Sequence, residues 1–224
     1  MIAIFFALSQ EVASLKSQVN ILKKIRYANA VFYQAEFCGF PVTLVQTGVG
    51  KNVSEAIHQL STYFRIQLMV SSGFAGSVNP KVGVGDLVIG RRVLSSSRGV
   101  SEEGIPIDSA LPCDASAVDI AVALSSAGAL KFHCGDILSV DKIIRQSSLK
   151  THIGNQTSAI AVDMESFAIA ERANAMGIPF IAVRAISDGV DEDMEVGEDL
   201  VTRGGNVNIS ATVRYLLNKP HHIP

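Results

Sequence analysis

Residues 159–189 read AIAVDMESFAIAERANAMGIPFIAVRAISDG. Residues 159–163 form a short apolar run, the pattern of a buried strand, and it ends on Asp163. Residues 164–176 have the character of a helix, closed by Gly177, and 179–186 is a second apolar strand. Such strands lack the in-out alternation of a sheet with one wet face, so both of their faces are expected to be covered. Strands of this kind alternating with helices predict an α/β fold: a three-layer α/β/α sandwich around a mixed, largely parallel central sheet. Two polar clusters break the apolar pattern. Asp163 and Glu165 flank Met164 where one strand ends, and Arg184, Ser187 and Asp188 come at the end of the next. A carboxylate in apolar surroundings is costly unless it is paired or hydrogen-bonded, so these positions need an explanation.

The rest of the chain continues the alternation. Residues 2–8 read as a first core strand, and 9–24 as a helix with Ser9 as N-cap and Val12, Leu15, Val19 and Leu22 at helical spacing. Strands at 31–37 and 41–47 form a hairpin about Gly39-Phe40-Pro41. A helix at 52–64 follows, then a strand at 67–71 that runs into the glycine-bearing turn Ser72–Gly76, and a strand in GDLVIGRRVL after the turn at Asn79-Pro80. Residues 95–112 are rich in Ser, Gly and Pro and have no period, which marks a long loop. Helices at 114–127 and 146–153, with the strand CGDILSV between them, lead back to residue 159, and a last helix lies near 198–217. There is no repeat and no interdomain linker, so residues 1–224 are expected to form one domain.

Composition narrows the function classes. The 224 residues are 48% hydrophobic and 18% charged, with a net charge of −2. That is ample for a large core with apolar surface left over for a subunit interface, so a homo-oligomer, a dimer or larger, is expected. The basic clusters Lys23-Lys24-Ile25-Arg26 and Arg91-Arg92 are too short for a nucleic-acid footprint. No apolar run reaches membrane-spanning length, and MIAIFFAL lacks the basic flank of a signal peptide. Cys38, Cys113 and Cys134 are odd in number and widely spaced, which points to a reducing, cytoplasmic setting. The five histidines, among them His221 and His222, show no metal-ligand spacing, and neither a metal nor a cofactor is expected.

Placing the odd residues on this framework gathers them. Glu11 follows the first strand, and Ser72–Gly76, Ile143-Ile144, Met164-Glu165 and Ser187-Asp188 each follow a later one. Ligands bind at the carboxyl ends of strands in such folds, so five strand ends can share one rim. Each residue also has a plain reading. Glu11 suits the first turn of a helix, Glu165 a solvated helix start, and Asp188-Gly189 a turn. TGVGK (47–51) hints at a phosphate loop but lacks the full pattern.

Taken together the motifs resemble a family. AVDMESFAIA is similar to the V-x-M-E signature of the nucleoside phosphorylase and nucleosidase superfamily, and VRAISDGVDED to its R-x-I-S-D strand end. QTGVGKNVSEAI, SSGFAGSVNPKVGVGDLVI and Gln10-Glu11-Val12 match in the family's order, so the resemblance spans roughly residues 1–190. The nearest subgroups are the methylthioadenosine/S-adenosylhomocysteine nucleosidases and the hopanoid-associated nucleosidases, with VDMES and Pro112-Cys113-Asp114 leaning toward the latter.

The resemblance implies that a 5′-substituted purine nucleoside, an adenosine derivative, loses its base. Asp188 is then the general acid that protonates the leaving purine, favoured in its protonated form by burial. Glu165, with Met164, binds the ribose hydroxyls and favours a cationic transition state. Glu11 activates water. Ile143, Ile144, Ser187 and Asp188 hold the base; Phe74, Ala75 and Gly76 line the nucleophile pocket; Asp163 and Arg184 support. The chain departs from the relatives at Ile143, where a phenylalanine is usual, and at Phe74, where the methylthioadenosine enzymes carry serine. A phosphorylase would need cations for a phosphate dianion, yet LMVSSG offers none before the glycines and Glu11 would repel the anion. Hydrolysis is therefore expected. Phosphorolysis and a noncatalytic nucleoside-binding module are the alternatives.

Overall fold

The computed structural model describes residues 1–193 apart from 38, 50–52, 97–98 and 129. The helix expected near 198–217, Cys38, His221 and His222, and Gly50 and Lys51 of TGVGK lie outside the described residues. Within them the chain runs β1 (Ile2–Phe6), α1 (Ser9–Lys16), β2 (Asn20–Tyr27), β3 (Ala30–Phe37), β4 (Phe40–Gln46), α2 (Val53–Tyr63), β5 (Leu68–Ser77) and β6 (Leu87–Ser95). It continues β7 (Ser109–Pro112), α3 (Ala115–Ala127), β8 (Phe132–Ser139), α4 (Ser147–Gln156), β9 (Ala159–Asp163), α5 (Ser166–Ala175) and β10 (Phe180–Asp188).

One mixed sheet takes up all the strands. β1 lies between β4 and β5, parallel to both, and β5 is parallel to β10. β8 is parallel to β6 and β9. Antiparallel pairs add β3 and β2 beyond β4, join β10 to β6, and join β5 to β9. Strands β5, β10, β6, β8 and β9 thus close a ring, from which β7 hangs by its pairing with β6.

The layers follow from the period of two along a strand. Ile2, Ile4 and Phe6 point into a core shared with Val12 and Leu15 of α1 and with Ala117 and Ala121 of α3. Ala3 and Phe5 point the other way, toward Val53, Ala56, Ile57 and Leu60 of α2 and Ile169, Ala170 and Ala173 of α5. Every residue of β1 and β10 is buried, which is why neither sequence alternates. Each large side chain so buried contributes about 1.5–3 kcal/mol.

Three elements differ from the sequence expectation. The first helix stops at Lys16, its N-cap is Leu8 and not Ser9, and Asn20–Tyr27 is strand β2. Val19 and Leu22 continue the helical spacing, but pairing with β3 satisfies this backbone instead. Lys23, Lys24 and Arg26 then charge the outer edge of the sheet, a common guard against further pairing. The loop at 95–112 contains β7, antiparallel to β6. Ser72–Gly76 is not a turn but a continuation of β5, held by β10 along its length and by β9 at Gly76 and Ser77.

Candidate active site

The ends of β1, β5, β8, β9 and β10 converge on one cavity. Glu11, Phe74, Ala75, Gly76, Ile143, Ile144, Asp163, Met164, Glu165, Ser187 and Asp188 all line it, so every proposed site residue but one is there. The exception is Arg184, which lies beneath. Ala7, Leu8, Val49, Val140, Lys142 and Val162 complete the lining and were not foreseen. Ile144 is buried, whereas Ile143 and the exposed Lys142 stand at the mouth.

Glu11 sits at the third position of α1 and turns back over the end of β1. One carboxylate oxygen accepts from the backbone N–H of Ala7 (2.9 Å) and of Leu8 (2.8 Å), the latter being half of a capping box. The other accepts from the Phe74 N–H at 2.9 Å, across the gap to β5. The Glu11 carboxyl is pushed above the usual glutamate range by burial. The N–H of Leu8, the Arg184 guanidinium and the N–H groups of Phe74 and Ala7 pull the other way. The helix-start reading of Glu11 is therefore true, yet incomplete, because the same side chain faces the cavity.

Gly73 lets this happen. Its φ is +155°, and a Cβ there would meet a Glu11 oxygen and Arg184 Nη1, each at 2.6 Å. At Gly76 a Cβ would lie 2.9 Å from Asp188 Oδ2. The two glycines hold space for two carboxylates and one guanidinium.

Asp163, expected as a supporting residue, makes structural contacts. Arg184 Nη2 lies 2.7 Å from its Oδ2, and Ser139 Oγ donates to its Oδ1 at 2.5 Å. The N–H of Ser166 at the start of α5 reaches the same carboxylate. Arg184, 1% exposed, also donates to Ser71 Oγ (2.6 Å) and Ser166 Oγ (2.9 Å). The desolvation cost of this guanidinium, several kcal/mol, is met by one carboxylate and two hydroxyls. A cation does lie under the glycine strand, then, but Asp163, Ser71 and Ser166 hold it.

A bulge between Ile186 and Asp188 carries Ser187 and Asp188 onto the cavity. Ser187 Oγ lies 3.2 Å from the Ala75 carbonyl and 2.6 Å from Asp188 Oδ1. The hydroxyl has one hydrogen for two oxygens. It can therefore satisfy only one of them at a time and can turn between them. Asp188 Oδ2 lies 2.7 Å from the Lys150 ammonium of α4, which is fully buried. Lys150 was not anticipated; a single lysine in SSLKTH reads as a solvated helix residue.

Glu165, 8% exposed, completes the cavity wall at the start of α5. Among the described residues, the cavity and its floor hold four acidic side chains, Glu11, Asp163, Glu165 and Asp188, with Arg184 and Lys150 buried behind them and Lys142 exposed at the mouth. Such a site favours positive charge developing inside it.

The chain as a whole resembles proteins that are already known. The chain is 31% identical over 201 residues to the 5′-methylthioadenosine/S-adenosylhomocysteine nucleosidase of Staphylococcus saprophyticus, covering 86% of this chain and 88% of that one. The nucleosidase of the same kind from Colwellia psychrerythraea, solved in complex with adenine, is 26% identical with a TM-score of 0.81, over 97% of this chain and 94% of that one. The futalosine hydrolase of Helicobacter pylori shares the fold at 20% identity, with a TM-score of 0.84 over 97% of each chain. The profile of the Phosphorylase superfamily matches residues 1–214, and the chain belongs to that superfamily.

Proposed function

We infer that the protein is a nucleosidase that hydrolyses the N-glycosidic bond of a 5′-substituted purine nucleoside, an adenosine derivative, to the free base and a ribosyl product. The observation that carries the reading is Glu11, a carboxylate fixed by three backbone N–H groups at the glycine strand of a cavity rich in acids. Breaking the bond builds positive charge on the ribose and negative charge on the base. Glu165, beside Met164, binds the ribose hydroxyls and stabilises the cationic sugar. Asp188 gives its proton to the purine as the C1′–N electron pair moves onto the ring, and Ser187 orients it. Glu11 takes a proton from the water that attacks C1′, beside Phe74, Ala75 and Gly76. The buried Ile144 and the more exposed Ile143 cover the base by apolar contact, without ring stacking. Arg184 and Asp163 hold the floor.

Phosphorolysis is the second reading, since Arg184 lies close to the glycine strand. Its guanidinium is already taken up by Asp163, Ser71 and Ser166, and a dianion would also face Glu11. A homodimer and a cytoplasmic setting belong to the same proposal, on the apolar composition and the unpaired Cys113 and Cys134.

The test is a panel of adenosines carrying methylthio, homocysteinyl or bulkier apolar 5′ groups, incubated in phosphate-free buffer. Release of adenine from at least one, identified by chromatography, is the expected result. Tight binding of the panel with no release of base would replace the enzyme by a nucleoside-binding module.

A further inference from the structure

Lys150 is fully buried, and its ammonium makes three contacts: Asp188 Oδ2 at 2.7 Å, the Gly189 carbonyl at 2.9 Å and the Glu192 carbonyl at 2.8 Å. Three acceptors use all three N–H bonds of an ammonium, so the group is held as a cation with no lone pair to spare. A buried lysine is expensive, and a merely structural cation would be served by the two carbonyls and water at the surface. Here α4 instead delivers the charge to the rear of Asp188, whose carboxyl also lines the cavity.

We propose that Lys150 is a positioning residue for base departure: it holds Asp188 in place and neutralises the carboxylate left when the proton has gone. The proposal rests on the reading of Asp188 as general acid. In the step, the Asp188 proton passes to a purine ring nitrogen, the C1′–N bond breaks with its electron pair going to the purine, and Asp188 becomes an anion. Water adds its oxygen to C1′ and its proton goes to Glu11. Both carboxyl groups return to their starting states by exchange with solvent after product leaves, and Lys150 keeps its three protons throughout. Without the ammonium, the new Asp188 anion would stand near Glu165 and Asp163 with its nearest counter-charge removed, so proton transfer would become the costly part of the reaction. The contacts to the Gly189 and Glu192 carbonyls also tie the acid to the segment that follows β10, which keeps Oδ2 from turning away.

The experiment compares two leaving groups on the same sugar, 5′-methylthioadenosine and the p-nitrophenyl glycoside of 5-methylthioribose. The second leaves as a stable anion and needs no proton. Lys150→Met and Lys150→Gln are expected to lower kcat on 5′-methylthioadenosine by about 10²-fold, with KM changed by less than about threefold. Cleavage of the p-nitrophenyl glycoside should stay within about threefold of wild type, which also reports an intact site. Equal loss on both substrates, in either variant, assigns Lys150 to holding the fold and overturns the proposal, as does full activity on both. Asp188→Asn is measured alongside. If it is inactive on the nucleoside while the Lys150 variants are not, only the role of Lys150 fails. If Asp188→Asn itself keeps nucleoside activity, the general-acid reading fails first.

Discussion

Asp188→Asn is expected to reduce purine nucleoside cleavage by about 10²–10⁴-fold, the usual contribution of a general acid. The amide matches the carboxyl in shape, and its oxygen can still accept from Lys150 or from Ser187. It has no acidic proton to give to the base. Any loss of stability from placing an amide beside the buried Lys150 ammonium is a separate effect. Circular dichroism at the assay temperature separates the two effects. A folded variant with more than half of the wild-type kcat would remove Asp188 from the chemistry.

Glu11→Gln is the second large effect, a loss of about 10²–10⁴-fold in kcat. Glutamine has one acceptor oxygen where glutamate has two. Glu11 accepts from Ala7 and Leu8 on one oxygen and from Phe74 on the other, so an amide must set its NH₂ against one of these donors. That mismatch adds about 1–3 kcal/mol of destabilisation. Product affinity should change little, because the base contacts Asp188, Ile143 and Ile144. The pH dependence supplies a second readout. A base works as the carboxylate, and burial raises the Glu11 pKa, so activity falls as pH drops through that raised value. The acid limb of kcat/KM in the wild type should lie above the ordinary glutamate pKa of about 4.3, and it should be absent in Glu11→Gln. An acid limb unchanged by the substitution would assign it to another group.

The architecture was legible wherever burial dictates composition. β1, β9 and β10 are apolar on both faces because helices cover both, and their ends could be read to within a residue or two. The gathering of Glu11, Glu165 and Asp188 was legible because each follows an apolar strand, although each alone also suits a helix start or a turn. β2 was not, since the spacing of Val19 and Leu22 suits a helix and only the pairing with β3 decides otherwise. The course of Ser72–Gly76 was hidden too, because glycines that mark a turn in most chains here clear space for Glu11, Arg184 and Asp188. Lys150, and the Ser139 and Arg184 partners of Asp163, are long-range contacts that no local pattern contains. Lys150 reaches Asp188 across 38 positions of sequence, and Ser71 meets Arg184 across 113.

The central claim is that water, and not phosphate, attacks the sugar. At a few ångströms, the repulsion between Glu11 and a phosphate dianion amounts to a few kcal/mol at an effective dielectric near 20, roughly 4 kcal/mol for each pair of unit charges at about 4 Å. The most direct measurement is turnover of 5′-methylthioadenosine in ¹⁸O-labelled water, with and without inorganic phosphate, followed by mass spectrometry of the sugar. The account predicts adenine release at the same rate in both buffers and a free sugar carrying the label at C1. A sugar 1-phosphate formed only when phosphate is present would contradict it.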